Sequence, residues 1–200
     1  YSLDIIESGS FNPSLPIILL ARDGLKLPDS IISSEYLTLE KKQFSKSRNW
    51  AVWLPEYLKN FSSDTLRYYL TINGPETSDA DFSWKELQER INKELIGNLA
   101  NFIYRTAQLI EKNFDAKIAR PEKFDKEQSD VLEKVTQAFE ISGGLIEKGK
   151  FRDSLKAIID LAETGNRFLA KTEPWKVIKI DRNKAQADLF ICAQIIYSLA

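Results

Sequence analysis

The chain has 200 residues, 43% of them apolar and 28% charged, close to the globular average, which excludes a long disordered chain and a coiled-coil rod. Its 28 basic and 29 acidic residues leave a net charge of −1, so a strongly basic, non-specific nucleic-acid binder is excluded and any nucleic-acid partner must be met by local geometry. With no histidine, Ser-His-Asp and Cys-His triads and His-ligated zinc are excluded, and the single Cys192 can form neither an internal disulfide nor a Cys₄ site.

A lone cysteine fits a reducing compartment, and a cytoplasmic location is expected. The most apolar uncharged stretch, Pro16 to Ala21, is too short to span a bilayer, and Asp4 and Glu7 stand where a secretory leader would be basic. No membrane partner is expected.

Up to about residue 85 the chain is rich in prolines, turn formers and short apolar runs, so short strands and turns are predicted. Ile17 to Ala21 reads equally as a buried strand or part of a helix. The run from Leu25 to Ile32 is broken by Pro28. Ser34 to Leu39 alternates and predicts a strand, Lys41 to Asn49 a polar basic loop, and Ala51 to Leu54 a further apolar run. Leu66, Tyr69 and Leu70 have helical spacing within 64–71, with Ser63 or Asp64 as N-cap.

From Ser83 onward the period becomes helical. Ser83 and Glu86 have capping-box spacing, and Leu87, Ile91, Leu95, Leu99, Phe102, Ile103 and Ile110 continue one stripe, which predicts a long helix over 84–115. Gln128 to Ile141 repeats the pattern through Val131, Leu132, Val135, Ala138 and Phe139, with Gly143-Gly144 near its end or kinking it. Phe151 to Ala170 and Ala185 to Leu199 supply two more helices, separated by Pro174. Four antiparallel helices with short connections predict a bundle. The expected fold class is therefore mainly α.

The segment Lys41-Lys-Gln-Phe-Ser-Lys-Ser-Arg places four cations and two hydroxyls within one loop. Such a loop suits phosphate, with lysine as a point charge and hydroxyls and backbone N–H groups as donors; on composition alone a solvated basic turn fits as well. Asn101 and Arg105 lie four apart and share a helix face, and Trp175 follows Pro174. Asp79 and Asp81 fall short of a divalent-cation set, and Asp81 is expected to cap the turn before Trp84. No metal site is expected in this chain.

Phe44-Ser-Lys-Ser resembles the KMSKS loop of class I aminoacyl-tRNA synthetases. Ser34-Glu-Tyr-Leu-Thr-Leu-Glu before it and Trp50-Ala-Val-Trp-Leu after it resemble methionyl-tRNA synthetases of the archaeal and eukaryotic type. So do Asp64-Thr-Leu-Arg-Tyr-Tyr-Leu, Asp79-Ala-Asp-Phe-Ser-Trp, Gly97-Asn-Leu-Ala-Asn-Phe-Ile-Tyr-Arg and Glu173-Pro-Trp-Lys, all in family order. Ser10-Phe-Asn-Pro-Ser-Leu-Pro resembles the stretch leading from the amino-acid pocket, with Asn12 where that family usually has His.

The resemblance implies the C-terminal half of such an enzyme. It implies the end of the Rossmann-type catalytic domain with its KMSKS-like loop (1–50), a linker or stem-contact domain (51–83) and an anticodon-binding helical bundle (84–200). It implies ATP, with Mg²⁺, as a substrate. Lys46 would be the catalytic cation, Ser45 and Ser47 would position the loop, and Gln43 and Phe44 would complete the ATP-facing segment. Gln43 replaces the family's first lysine; Lys41 or Lys42 is the candidate replacement for its charge. Asn101, Arg105 and Trp175 would bind the anticodon of tRNA(Met), and Tyr104 beside them is either a further stacking surface or part of the helix face. The implied partner is a catalytic half carrying the His-Ile-Gly-His motif, on a separate chain if the enzyme is split. The alternative is a tRNA-binding module of the same descent without chemistry.

Overall fold

A computed structural model describes residues 34–199. The segments Ile17–Ala21 and 25–32, Asn12 and the stretch around it lie outside the described residues.

Strands β1 (Leu37–Leu39) and β2 (Lys42–Gln43) form an antiparallel hairpin, and β3 (Ala80–Phe82) joins β1 in parallel, giving the order β2-β1-β3. The hairpin turns through Glu40 and Lys41, both left-handed at φ 47° and 62°, the twist that suits a two-residue connection. Neither residue is glycine, so the turn needs outside support. The Glu40 N–H donates to the Phe82 carbonyl at 2.9 Å, the Lys41 N–H to Asp81 Oδ1 at 2.7 Å, and the Trp84 N–H to Glu40 Oε1 at 2.9 Å. Asp79 Oδ1 accepts the Tyr36 N–H at 3.0 Å. Asp79 and Asp81 therefore clasp the hairpin from the neighbouring strand. The expected role of Asp81 as cap before Trp84 is corrected: Glu40 takes that N–H.

Helix α1 (Leu54–Asn60) carries Pro55 in its first turn, where the missing N–H costs nothing. Helix α2 (Ser63–Ile72) is capped by Ser62, whose hydroxyl accepts the Thr65 N–H at 3.3 Å, one residue before the earlier of the two expected caps. Its inner face buries Leu66, Tyr68, Tyr69 and Ile72. Tyr69 is fully buried, and its hydroxyl accepts from the Ser83 N–H at 3.1 Å and from Asn73 Nδ2 at 3.2 Å. Ser83 caps nothing with its own side chain, so the expected capping box is absent.

The long helix is present and uninterrupted, in three stretches: α3 (Trp84–Arg90), a π-helical stretch (Ile91–Ala100) and α4 (Asn101–Phe114). The wider π turn leaves backbone groups displaced, and the Asn166 amide donates to the Asn98 carbonyl at 2.9 Å and its side-chain oxygen at 2.8 Å. No residue of this stretch is fully buried, so the apolar stripe loosens there. Left-handed Asp115 ends the helix.

Helices α5 (Lys126–Glu147), α6 (Phe151–Thr172), the short α7 (Pro174–Val177) and α8 (Arg182–Leu199) complete the bundle. Asp125 and Gln128 form a capping box at the start of α5. That helix runs straight through Gly143-Gly144 and stops before Gly149, which is left-handed at φ 70°. Phe139, expected in the core, is 75% exposed.

Two apolar cores result. One, under the hairpin, gathers Leu39, Tyr57, Leu66, Tyr69, Phe82 and Leu87. The other, in the bundle, includes Phe102, Phe114, Leu169, Leu189, Ile191 and Ile195. The long helix belongs to both, contributing Leu87 to the first and Phe102 and Phe114 to the second. Arg105 stands on the order of 30 Å along it from Trp84, which keeps the hairpin and the groove of the bundle apart.

Candidate functional site

The basic loop is a built structure. Gln43 pairs with Thr38 in the hairpin ladder, and Ser45 exchanges two 2.9 Å backbone hydrogen bonds with Trp50. Between them Lys46, Ser47, Arg48 and Asn49 form a tight turn, closed by the Asn49 N–H on the Lys46 carbonyl at 3.1 Å. Asn49 takes φ 53°, a conformation its short amide tolerates, and its Oδ1 accepts the Trp53 indole N–H at 2.8 Å. Trp50 donates its indole N–H to the Leu39 carbonyl at 3.0 Å.

At the tip, the Ser45 and Ser47 hydroxyls are 3.3 Å apart, and Arg48 Nε–H donates to Ser45 Oγ at 3.1 Å. Lys46 is exposed and, among the described residues, makes no side-chain hydrogen bond or ion pair. Gln43 and Phe44 are exposed beside it. Of the two lysines expected to compensate for Gln43, Lys42 lies 5.1 Å over the Trp50 ring. Arg48 shares the tip with Ser45 and was not singled out from the sequence, although its place in the cationic run was visible. The loop thus offers a polyanion one exposed ammonium, one guanidinium and two hydroxyls on a hydrogen-bonded base.

The second site lies on the bundle. Asn101 opens α4, exposed; Arg105 follows one turn later, half-buried. The guanidinium of Arg105 lies 5.6 Å over the ring of Trp175. Trp175 is held there by local geometry: Glu173 turns left-handed at φ 42°, Pro174 starts α7 and is buried, and Trp175 packs partly against the bundle core. A groove of about 380 Å³ is lined by Tyr104, Arg105, Gln108, Leu109 and Trp175. The structure therefore joins Arg105 to Trp175 across the sequence. Asn101 shares the helix face and does not line the groove. Gln108 and Leu109 were missed, although spacing of three and four from Arg105 could have found them.

The larger cleft, about 690 Å³, belongs to neither site. It lies between α2, the π-helical stretch and α6, and some of its polar groups bond one another, while Arg152 Nε is buried without a partner. Tyr68 donates to Glu94 Oε2 at 2.5 Å, with burial pushing the phenol pKa up, and Arg90 bonds Glu86 Oε1 at 2.9 Å and Glu94 Oε1 at 3.2 Å. Arg152 donates its guanidinium to the Gly74 carbonyl and its N–H to Glu76 Oε1 at 2.6 Å. This is a structural seam between the hairpin unit and the bundle. Among the described residues no three His, Cys, Asp or Glu side chains are grouped to hold a metal, and no helix is long and apolar enough to cross a membrane.

A family model described as tRNA synthetases class I (M) matches residues 11–107. The methionine--tRNA ligase of Pyrococcus horikoshii is 43% identical over 173 residues, 86% of this chain and 24% of that protein. The methionine--tRNA ligase of Phocaeicola vulgatus is 41% identical over 187 residues, 92% of this chain and 28% of that protein. The chain thus spans about a quarter of the length of these curated relatives. Among solved structures, Mycobacterium tuberculosis methionyl-tRNA synthetase in complex with methionyl-adenylate superposes with a TM-score of 0.83 at 22% identity, covering 93% of this chain and 37% of that one. At that identity the likeness shows the fold: mainly helical with a small sheet.

Proposed function

Because the chain belongs to the methionyl-tRNA synthetase family, whose members are aminoacyl-tRNA ligases of protein biosynthesis, we propose that it supplies two working parts of such an enzyme. One is the KMSKS-like loop that serves methionine activation; the other is a bundle that reads the anticodon of tRNA(Met). In this reading 1–50 closes the catalytic domain, 51–83 links it, and 84–200 binds the anticodon. The setting is the cytoplasm.

In the first step the methionine carboxylate attacks the α-phosphate of ATP, forming methionyl-adenylate and releasing pyrophosphate. The terminal ribose hydroxyl of the tRNA then takes the acyl group and AMP leaves. Negative charge gathers on the departing pyrophosphate, and a cation that meets it there stabilises the transition state. Lys46, exposed at the tip of the Ser45–Trp50 loop, has that role; Ser45 and Ser47 orient the tip, and Gln43 and Phe44 border it. Mg²⁺ enters with the ATP phosphates as part of the substrate.

At the bundle, an unpaired base stacks on Trp175 while Arg105 and Asn101 donate to base edges. The observation that carries this reading is the Arg105–Trp175 pair, 5.6 Å apart and drawn from opposite ends of the bundle sequence. Both steps of catalysis also need the half carrying His-Ile-Gly-His. The curated relatives have the remaining three quarters of their length on the same polypeptide, and a separate subunit finds no support in them.

The test is ATP–pyrophosphate exchange by the enzyme containing that half. Lys46→Ala should slow exchange by on the order of 100-fold, the cost of one transition-state contact of about 3 kcal/mol, with anticodon binding unchanged. An unaltered exchange rate would remove Lys46 from this role.

A further inference from the structure

On α4, Asn101, Tyr104, Arg105 and Gln108 recur at spacings of three and four and share one face. From Asn101 to Gln108 that face is about 10 Å long at the helical rise. Tyr104 is 66% exposed and is not among the residues packed on the bundle core, so packing does not account for its ring. It nevertheless lines the same groove as Arg105, Gln108, Leu109 and Trp175. Among the described residues the Tyr104 ring is paired with no other aromatic ring, whereas Arg105 lies over the Trp175 ring and Trp175 packs partly on the core, so Tyr104 is the more open of the two surfaces. The Gln108 amide makes one long bond, 3.4 Å to Glu111 Oε2 at an exposed site, which a ligand can replace.

We propose that Tyr104 is a second base-stacking platform, so that the groove seats two successive unpaired RNA bases, one on Trp175 and the next on Tyr104. The inference rests on the anticodon reading and extends it. The groove, at the small end of ligand clefts, suits flat rings better than a folded peptide. Arg105 is shared: its guanidinium plane already lies over one ring and its remaining N–H groups reach base edges or a phosphate. Gln108, one turn beyond Tyr104, brings a carboxamide to the edge of the base stacked there.

The test is an anisotropy titration of the full 200-residue chain with an anticodon stem-loop of tRNA(Met), intact or with one abasic nucleotide at each anticodon position in turn. Tyr104→Ala should weaken the intact RNA by on the order of 5- to 100-fold, Tyr104→Phe should not, and an unchanged melting temperature is expected for so exposed a side chain. The loss should vanish with one abasic RNA, different from the one at which Trp175→Ala loses its effect. Tyr104→Ala binding intact RNA as tightly as the unaltered chain, or weakening every abasic RNA by the same factor as the intact one, overturns the proposal. If Trp175→Ala still shows its own single-position coupling in that case, the anticodon reading survives; if neither variant changes binding, both fall.

Discussion

The carboxylate of Asp81 accepts the backbone N–H of Lys41 at 2.7 Å, and so holds a left-handed turn that lysine does not favour. The same oxygen accepts the Thr38 hydroxyl at 2.6 Å. One strand residue thereby fixes the base from which the loop carrying Lys46 projects. Asp81→Ala removes both bonds and should cost about 2 kcal/mol of stability, read as a lower denaturation midpoint at unchanged slope. In the complete enzyme it should also slow ATP–pyrophosphate exchange while leaving anticodon binding alone.

Gly165 on α6 faces the Phe102 ring, and a Cβ placed there would lie within 2.8 Å of three ring carbons. Phe102 is fully buried and cannot swing away without opening the core. Gly165→Ala should destabilise the bundle by about 1–3 kcal/mol, lowering the melting temperature by roughly 2–4 °C per kcal/mol. A melting temperature equal to that of the unaltered chain would show that the two helices are farther apart than described.

Asp188 is buried in the bundle, with Oδ1 accepting from Gln128 Nε2 at 2.7 Å and Oδ2 unpartnered. Burial pushes its pKa up; Gln128 and Lys184 act against that, while Asp125 and Glu127 add to it. Between the unfolded carboxyl value, about 4, and the higher folded value, the native state keeps a proton that the unfolded chain has released. Stability therefore falls as pH rises through that window. Asp188→Asn should abolish this component, so the unfolding free energy of the variant should gain on the unaltered chain from pH 4 towards neutrality. A difference independent of pH would contradict it.

The helical half was legible because its apolar period is long; its caps were not, since the box expected at Ser83 is absent and the one at Asp125 and Gln128 was not foreseen. Val131, Leu161, Leu189 and Ile195 announce their faces through spacing alone. The π-helical stretch was not legible: its apolar stripe keeps helical spacing, and its bond from Asn166 to Asn98 joins residues 68 apart in sequence. Nor was the end of α5: Gly143-Gly144 meet no packed neighbour, so nothing forces a break there, and the left-handed position falls on Gly149. β3 and α1 escaped because three strand residues beside β1 and a seven-residue helix carry too little periodicity. The roles of Asp81 and Glu40 are tertiary, each serving a backbone N–H some forty residues away. Family order proposed Lys46, Arg105 and Trp175 as site residues, whereas the place of Arg48 beside Ser45 and of Gln108 in the groove came from their neighbours in space.

The central claim is that Arg105 and Trp175 read the anticodon together. The direct measurement is the ratio of affinities of the chain for a stem-loop with the methionine anticodon and one with a changed anticodon. The unaltered chain should prefer the methionine anticodon. Trp175→Ala and Arg105→Ala should each cost on the order of 1–3 kcal/mol towards that RNA and little towards the other, collapsing the ratio. A ratio untouched by either substitution would contradict the claim and leave the bundle holding RNA, if at all, through its backbone.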